Sequence, residues 1–246
     1  MGVRNYYPWT YWQQHIFRII HRIFRPFPQL SPQLSWIHFK QNVNTSEKLF
    51  DISLKAIANT KTIDLSELEK RQPKGKEWIG IYPGEHYKLL AALMLELKPK
   101  TVIEIGTYLG HASIVLKNYI PTDSTLYTFD VFRWNEFDDT CLKESDFDFQ
   151  LIQYTHDLTK FKCIEKHKDI IRSADFIFMD ALKDGIQEKK FLENFRKIGL
   201  KDGALLFFDD IRVWNMIKVW HEIDMPKIDL TSYGHWSGSG LVEWKN

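Results

Sequence analysis

The chain has 246 residues, 44% hydrophobic and 26% charged, which is typical of a soluble globular protein with a sizeable core. A formal net charge of +1 gives no electrostatic reason to expect a nucleic-acid partner. Its two cysteines, Cys141 and Cys163, stand in no zinc-binding spacing, and we find neither a membrane-spanning apolar run nor a secretory signal. We therefore expect a cytoplasmic protein with reduced thiols.

The first 28 residues differ from the rest of the chain. Apolar residues recur there at helical spacing, with arginines mostly between them: Trp12, Ile16, Ile19, Ile20 and Ile23, with Arg18, Arg22 and Arg25. The pattern predicts a basic amphipathic helix over residues 9–25. Such a helix could lie on an anionic membrane surface, cap the domain or pair with a second subunit in a homodimer, and we favour packing against protein.

Two domains are predicted. Residues 1–78 form an N-terminal extension, which contains that helix, a linker over 28–45 and short helices near 46–58 and 64–71. Residues 79–246 form the main domain, in which β-branched runs alternate with helical patterns. The predicted strands are 101–106, 125–132, 149–156, 174–180 and 203–210, the predicted helices are 85–97, 111–120, 158–168, 185–198 and 212–223, and the tail contains two strands around a Gly-rich turn.

This alternation predicts an α/β fold with a doubly wound, mostly parallel seven-stranded sheet. In such sheets, ligands bind beyond the carboxyl ends of the strands. The first of these ends carries Glu104, Gly106, Thr107, Tyr108 and Gly110. A dinucleotide-binding motif would need glycines where Glu104 and Leu109 stand. An acid beside a glycine turn suits a cationic ligand without phosphate, such as S-adenosylmethionine.

Acidic residues follow the next two strands. Asp130, at the end of the second strand, can accept hydrogen bonds from both hydroxyls of a ribose. Asp157 follows the third strand. It could accept a bond from an adenine amino group, or it could cap a helix that begins at Leu158.

The fourth and fifth strands end in Asp180 and in Asp209-Asp210. If these strands are neighbours, their ends lie about 5 Å apart, and three carboxylates converge. A divalent cation with oxygen ligands would relieve their repulsion. The alternative is that these residues cap helices or lie in solvated turns.

Together, the stretch over 81–119, DFIFMDALKDG and LKDGALLFFDDI resemble the class I S-adenosylmethionine-dependent methyltransferases. They are similar to the cation-dependent O-methyltransferases of catechol and caffeoyl-CoA type and to the macrocin-type sugar O-methyltransferases. The resemblance implies a Rossmann-like methyltransferase fold. It also implies a cofactor site, a metal site and the lysine general base, made by the following residues: Glu104, Gly106, Thr107, Tyr108, Gly110, Asp130, Asp157 and Asp180 for the cofactor, Asp180, Asp209 and Asp210 for the metal, and Lys183 for the base.

This chain combines two patterns within that group. The catechol type has Asp-Asn where Asp209-Asp210 stands, and the sugar type usually has His where Lys183 stands. We expect the metal, for which magnesium is the preferred candidate, to lower the pKa of an acceptor hydroxyl, with Lys183 taking its proton and Asp180 assisting. Alternatively, Lys183 is a surface lysine that pairs with Asp184 or Glu188.

The expected activity is methylation of a hydroxyl on a small molecule or sugar. Four residues near the predicted mouth of the site could contact this acceptor or simply pack: His86, Tyr87, His235 and Trp236. Three other functions stay open. They are a nucleotide-dependent enzyme on the same fold, a non-catalytic S-adenosylmethionine-binding module that acts through its basic N-terminal helix, and a metal-independent methyltransferase acting on nitrogen or carbon.

Overall fold

The computed structural model describes residues 40–42, 44–74, 78–80 and 85–246. The chain divides into two compact units, Met1–Gln41 and Asn42–Asn246. The amphipathic helix predicted over residues 9–25 lies outside the described residues, as does most of the predicted linker, so both stay predictions. No helix in the described part of the chain is long and apolar enough to cross a membrane.

The second unit begins at Asn42, whereas the sequence predicted a division after residue 78. Helix α1 (Glu47–Asn59) explains the difference, because it buries Leu49, Ser53 and Ala56 at helical spacing. Its amino end is capped by the Ser46 hydroxyl, which accepts a hydrogen bond from the backbone N–H of Leu49. A polar stretch of sequence therefore forms part of the same core as the sheet.

Seven strands form one sheet in the order β3-β2-β1-β4-β5-β7-β6. Their bounds are β1 Thr101–Ile105, β2 Thr125–Asp130, β3 Leu151–Thr155, β4 Phe176–Met179, β5 Leu205–Asp209, β6 Lys227–Asp229 and β7 Ser239–Glu243. The first five strands are parallel, and β7 pairs antiparallel with both β5 and β6. The seven-stranded, mostly parallel sheet predicted from the sequence is confirmed.

Helices cover both faces of this sheet. After α1 they are α2 Ser66–Arg71, α3 His86–Leu97, α4 His111–Tyr119, α5 Phe161–Lys166, α6 Lys168–Ser173, α7 Gln187–Ile198 and α8 Met216–Glu222. Alternate residues of a strand enter different cores: Val102 packs with α1, α3 and α4, whereas Ile103 packs with α6, α7 and α8. Burial on both faces explains why these strands read as continuous apolar runs.

Three predicted elements differ from the structure. The second strand stops at Asp130, and residues 131–150 contain only the short 3₁₀ turns Trp134–Glu136 and Glu144–Asp146. The helix predicted over 158–168 is replaced by α5 and α6, which meet at His167. The helix predicted from residue 212 begins at Met216, because Trp214 has a positive φ of 45°, which a right-handed helix does not allow.

The strand register determines which loops meet at the carboxyl edge of the sheet. Ile105 lies beside Met179, and Met179 lies beside Phe208, so the loops after β1, β4 and β5 begin side by side. The antiparallel strand β7 places Ser239 opposite Asp209. The turn that precedes β7 therefore reaches the same edge as the parallel strands.

One lysine is completely buried in this fold. The Lys227 ammonium donates hydrogen bonds to the carbonyl of Ile223, at 2.7 Å, and to that of Trp220. These carbonyls belong to the last turn of α8 and its end, where a positive charge is favourable. The ammonium also lies 5.1 Å from the centroid of the Trp220 ring. Lys227 therefore fixes the end of α8 against β6.

We expect Lys227→Met to lower the free energy of unfolding by roughly 2–4 kcal/mol, because both carbonyls lose a charged donor while the apolar stem is kept. Urea denaturation measures this change. The matched control is Lys218→Met on α8, where the lysine side chain is 74% exposed, and we expect a change below about 0.5 kcal/mol there. Equal effects of the two substitutions would contradict the capping role of Lys227.

Candidate active site

The loop after β1 runs directly against the end of β4. Gly106 has a φ of 102°, and a Cβ atom at this position would lie 1.9 Å from the carbonyl oxygen of Asp180. No other residue type fits this close approach. Next in the loop, the Thr107 hydroxyl lies 2.6 Å from the Thr128 hydroxyl on β2. The glycine that the sequence assigned to a ligand-binding turn thus brings two strand ends together.

Glu104, on β1, is fully buried. One carboxylate oxygen accepts a hydrogen bond from the Ser113 hydroxyl, whereas the other, Oε1, has no hydrogen-bond partner among the described residues. Burial raises the pKa of Glu104 to about 8, although the hydroxyls of Ser113 and Thr128 act in the opposite direction. An unpaired buried carboxylate oxygen is costly, and in native proteins it commonly marks a place where a ligand supplies the missing partner.

Asp130, at the end of β2, is held by three backbone N–H groups. Its Oδ1 accepts from Val131 at 2.7 Å and from Phe132 at 3.1 Å, and its Oδ2 accepts from Tyr108 at 2.9 Å. Each carboxylate oxygen has two lone pairs, so Asp130 can still accept one further bond, at Oδ2. The loops after β1 and β2 are therefore joined at a carboxylate of fixed orientation.

Aromatic side chains surround this part of the carboxyl edge. The Tyr108 ring stacks on Trp78 with centroids 5.7 Å apart and meets Phe137 edge-on at 5.0 Å. Phe132 also packs edge-on against Phe137 and is 52% exposed. The surface beyond Asp130 is therefore apolar and aromatic, which suits a flat ring.

Asp157 serves its own turn. Its Oδ1 accepts hydrogen bonds from the backbone N–H of Thr159 at 2.9 Å and from the Thr159 hydroxyl at 2.5 Å. Its Oδ2 lies 3.3 Å from the Lys160 ammonium. The helix that follows begins at Phe161, so Asp157 neither caps a helix at Leu158 nor presents an unpaired carboxylate to a ligand. The cap predicted for a helix at Leu158 is therefore absent, and the contact of Asp157 with an adenine amino group stays a prediction.

Asp180, Asp209 and Asp210 converge as expected, because β4 and β5 are neighbours. One oxygen from each carboxylate lies within 4.8 Å of the others. The Lys183 ammonium sits among them, 2.9 Å from Asp210 Oδ2 and 3.5 Å from Asp209 Oδ2, and in contact with Asp180 Oδ1. Its side chain is only 14% exposed. Lys183 is therefore not a surface lysine.

The alternative partners of Lys183 have other roles. Glu188 accepts a hydrogen bond from the backbone N–H of Lys183 rather than from its ammonium. Asp184 accepts from the backbone N–H groups of Ile186 and Gln187, at the start of α7. The alternative prediction, that the Lys183 side chain pairs with Asp184 or Glu188, is therefore wrong.

The cluster shifts the pKa values of its members. Burial raises the pKa of Asp180 to about 7 despite the opposing effect of Lys183. Burial also disfavours the ammonium of Lys183, but the three carboxylates outweigh it and raise its pKa above the ordinary lysine value. Although burial favours a neutral Asp209, two histidines and Lys183 hold its pKa well below the usual range. In this structure Lys183 is a cation that offsets part of the negative charge of the cluster.

The cluster has the donor set of a hard divalent cation, since its three ligand atoms are carboxylate oxygens. The backbone around it is strained. Among the described residues, six non-glycine residues have positive φ, and four of these lie in the loops after β1, β4 and β5: Tyr108, Lys183, Asp210 and Trp214. Such conformations cost about 1–3 kcal/mol each and concentrate at functional sites.

Two histidines lie beside Asp209, and the sequence did not reveal this role. His235 Nε2 lies 2.6 Å from Asp209 Oδ1, and His86 Nδ1 lies 3.8 Å from the same oxygen. Both histidines are at most 9% exposed, so they do not form the outer rim of the site. Trp236, in contrast, is 63% exposed. Only the pairing of β7 with β5 indicates that His235 reaches Asp209, and sequence periodicity does not give that pairing.

Comparison with known families agrees with the fold and the motifs. A family model described as O-methyltransferase matches residues 57–229, which is more than half of the chain. Among solved structures, one described as a caffeoyl-CoA O-methyltransferase from Staphylococcus aureus is 22% identical, with 76% of this chain and 100% of that chain covered and a TM-score of 0.50. A methyltransferase from Geobacter sulfurreducens is 17% identical, with 83% and 100% covered and a TM-score of 0.50. These structures share the Rossmann-like methyltransferase fold expected from the sequence.

A further solved structure is matched over a smaller share of its own length. MycE, a methyltransferase of the mycinamycin biosynthetic pathway, is 14% identical, with 50% of this chain and 30% of that chain covered and a TM-score of 0.37. This chain thus spans about a third of the length of MycE. Among curated proteins, no sequence matches this chain significantly.

We expect Glu104→Gln to stabilise the protein without ligand by roughly 4 kcal/mol more near pH 9 than near pH 5. The folded protein keeps the Glu104 proton up to a pKa of about 8, whereas the unfolded chain releases it near 4.5, so wild-type stability falls as pH rises through this range. Thermal unfolding at both pH values measures the difference. The exposed Glu144→Gln is the control, and an equal pH dependence in both variants would contradict the burial argument.

Proposed function

The chain belongs to the O-methyltransferase family, and from this premise we propose that it transfers a methyl group from S-adenosylmethionine to a hydroxyl of a small molecule or sugar. We propose further that a divalent cation, magnesium by preference, assists this transfer. The observation that carries the proposal is the position of the unpaired buried Glu104 oxygen, two residues before Gly106. Gly106 in turn lies against the carbonyl of Asp180, which belongs to the carboxylate cluster.

The residues at the ends of β1 and β2 suit this cofactor. Glu104 Oε1 can accept a hydrogen bond from the cationic amino group of its methionine part, which would relieve the cost of burying an unpaired oxygen. Asp130, already oriented by backbone N–H groups, can accept from a ribose hydroxyl at Oδ2. The aromatic surface around Tyr108 and Phe137 suits the adenine ring. Asp157 is not needed in this arrangement, since its oxygens bond within their own turn.

Asp180, Asp209 and Asp210 would hold the cation. All three offer oxygen atoms, and three convergent carboxylates need positive charge between them. Lys183 supplies that charge in this structure, and its ammonium occupies the space among the carboxylates. Lys183 therefore has to leave these contacts when the carboxylates hold a cation.

When bound, S-adenosylmethionine supplies an electrophilic methyl group, and a divalent cation supplies charge that lowers the pKa of a neighbouring hydroxyl. The chain supplies orientation and proton transfer. Lys183 Nζ, once released from the carboxylates, loses the contacts that raise its pKa and can take the proton of the acceptor hydroxyl. Asp180, whose carbonyl lies against Gly106 and which stands three residues before Lys183, would keep the acceptor and the methyl donor on one side of the cluster.

The rim of the cluster suggests that the acceptor has an apolar surface beside its hydroxyl. Leu182, Trp214 and Trp236 are 64%, 75% and 63% exposed and lie in the three loops that carry Asp180, Asp210 and His235. A largely polar acceptor would gain little from these side chains. Both a phenol and a glycoside that carries an apolar group suit this rim, and acceptor screening separates the two classes.

The competing functions have less support. A dinucleotide would place phosphate against Glu104, where a buried acid repels it. Methyl transfer to nitrogen or carbon departs from the family, which is one of O-methyltransferases. A non-catalytic module would not need a cluster of three carboxylates and a lysine next to the strand that carries Glu104.

We expect S-adenosylmethionine to bind the wild-type protein with a dissociation constant on the order of micromolar, measured by calorimetry. Glu104→Gln and Asp130→Ala should weaken binding at least about tenfold, because each removes a charged acceptor. The control is Asp123→Asn, an exposed residue paired with Lys100 at the opposite edge of the sheet, which should bind as wild type. Absence of binding to the wild type would refute the cofactor.

We expect Lys183→Met to lower turnover about 100-fold or more, as loss of a general base does, with unchanged affinity for S-adenosylmethionine. The same variant should bind Mn²⁺ more tightly than wild type, because its carboxylates lose the competing ammonium. Steady-state kinetics and Mn²⁺ titration measure the two effects. Lys189→Met on α7, where the lysine pairs with Glu222, is the control. Full turnover of Lys183→Met would exclude Lys183 as the base.

A further inference from the structure

The two oxygens of Asp209 have different surroundings. Oδ1 faces His235, whose Nε2 lies 2.6 Å away, and Oδ2 faces the Lys183 ammonium at 3.5 Å. The Asp209 side chain is only 9% exposed, so water does not replace these partners easily. Oδ2 thus points towards the space shared with Asp180 and Asp210, and Oδ1 is held on the other side by His235.

The direction of the hydrogen bond follows from chemistry. A carboxylate oxygen can only accept, so Nε2 of His235 carries the hydrogen. The other ring nitrogen, Nδ1, bonds to the Ser237 hydroxyl. That hydroxyl can donate to a neutral imidazole or accept from a charged one, so it fixes the ring in either state. Both nitrogens of His235 are therefore engaged within the protein.

The turn that carries His235 is itself held in place. Arg212 donates its backbone N–H to the Ser237 carbonyl at 2.8 Å, and Gly238 donates to the His235 carbonyl at 2.9 Å. The turn then enters β7, where Ser239 lies opposite Asp209 in the register. The imidazole is thus presented to Asp209 by a turn that backbone hydrogen bonds and the adjoining pairing of β7 with β5 hold in place, and such support positions functional groups accurately.

His86 has a different relation to Asp209. Its Nδ1 lies 3.2 Å from the Ser239 hydroxyl and 3.8 Å from Asp209 Oδ1, beyond hydrogen-bond distance of the carboxylate. Its ring packs against His235, with centroids 4.3 Å apart, and against Phe178 and Phe207. His86 therefore packs beside the carboxylate, and of the two histidines only His235 forms a hydrogen bond with it.

We propose that His235 is a positioning residue that acts through Asp209. By holding Oδ1, it keeps Oδ2 directed at the space among the three carboxylates and prevents rotation of the side chain. This inference rests on the proposed function, in which that space holds a divalent cation. Partners that orient a ligating carboxylate typically change metal affinity 10–100-fold when they are removed. His235 itself touches neither the acceptor nor the methyl donor.

The test is Mn²⁺ binding to the protein without S-adenosylmethionine, followed by the electron paramagnetic resonance signal of free Mn²⁺. We expect His235→Asn to weaken binding 10–100-fold, because its shorter side chain cannot place an N–H at the position of Nε2. The longer side chain of His235→Gln can place an N–H there, so its Mn²⁺ affinity should stay within about threefold of wild type. The control is His167→Asn, a buried histidine whose Nε2 bonds to His156 at 2.9 Å, and it should bind Mn²⁺ as wild type.

Each further outcome has a defined meaning. Mn²⁺ binding by His235→Asn that equals wild type overturns the inference and leaves the proposed function intact. Mn²⁺ binding that is absent from the wild type refutes the cation in the proposed function and this inference with it. If His235→Asn loses as much affinity for S-adenosylmethionine as for Mn²⁺, the substitution has damaged the site as a whole, and the positioning role is overturned. If His235→Asn does not fold, Ser237→Ala decides, because it frees the ring and should weaken Mn²⁺ binding severalfold.

Discussion

Three carboxylates and one ammonium group meet at the carboxyl edge of the sheet, and their mutual compensation constrains the rest of the site. The parallel register of β4 with β5 makes Asp180 and Asp209 neighbours, and Asp210 follows directly. Three carboxylates this close together would repel each other strongly without a cation between them. Lys183 provides that cation, but only because its backbone adopts a positive φ of 62°, which turns it back towards Asp180. A bound cation at this position would replace an interaction that the protein already makes.

The glycine turn connects this cluster with the second half of the site. Gly106 passes so close to the Asp180 carbonyl that any side chain would separate β1 from β4. The same approach leaves Glu104 buried behind the turn, with one oxygen unpaired and its pKa raised. The protein is therefore less stable without a ligand than its core would allow. This cost is consistent with a pocket built for a cationic group, since a site prepared in advance retains its unmet polar groups until the ligand arrives.

The antiparallel strand β7 adds a second layer to the cluster. The turn before it brings His235 to Asp209, where His86 of α3 also lies, and only His235 comes within hydrogen-bond distance of the carboxylate. Lys183 and His235 thus act on the two oxygens of one carboxylate from opposite sides. The cluster gains its geometry from β7 and its charge balance from the loop after β4.

Sequence periodicity determined the order of strands and helices, because burial on both sheet faces imposes apolar runs on the strands and helical spacing on their connections. It also identified Glu104, Gly106, Asp130 and the three clustered aspartates, since each stands where a strand ends. It did not show that the Asp157 carboxylate bonds within its own turn, and it placed the start of α8 too early, because positive φ values interrupt the helical pattern there. Only the tertiary structure decided the orientation of Lys183 and the pairing of His235 with Asp209. Both depend on contacts between residues that lie on different strands and loops, and no local pattern in the sequence records which loops the sheet brings together.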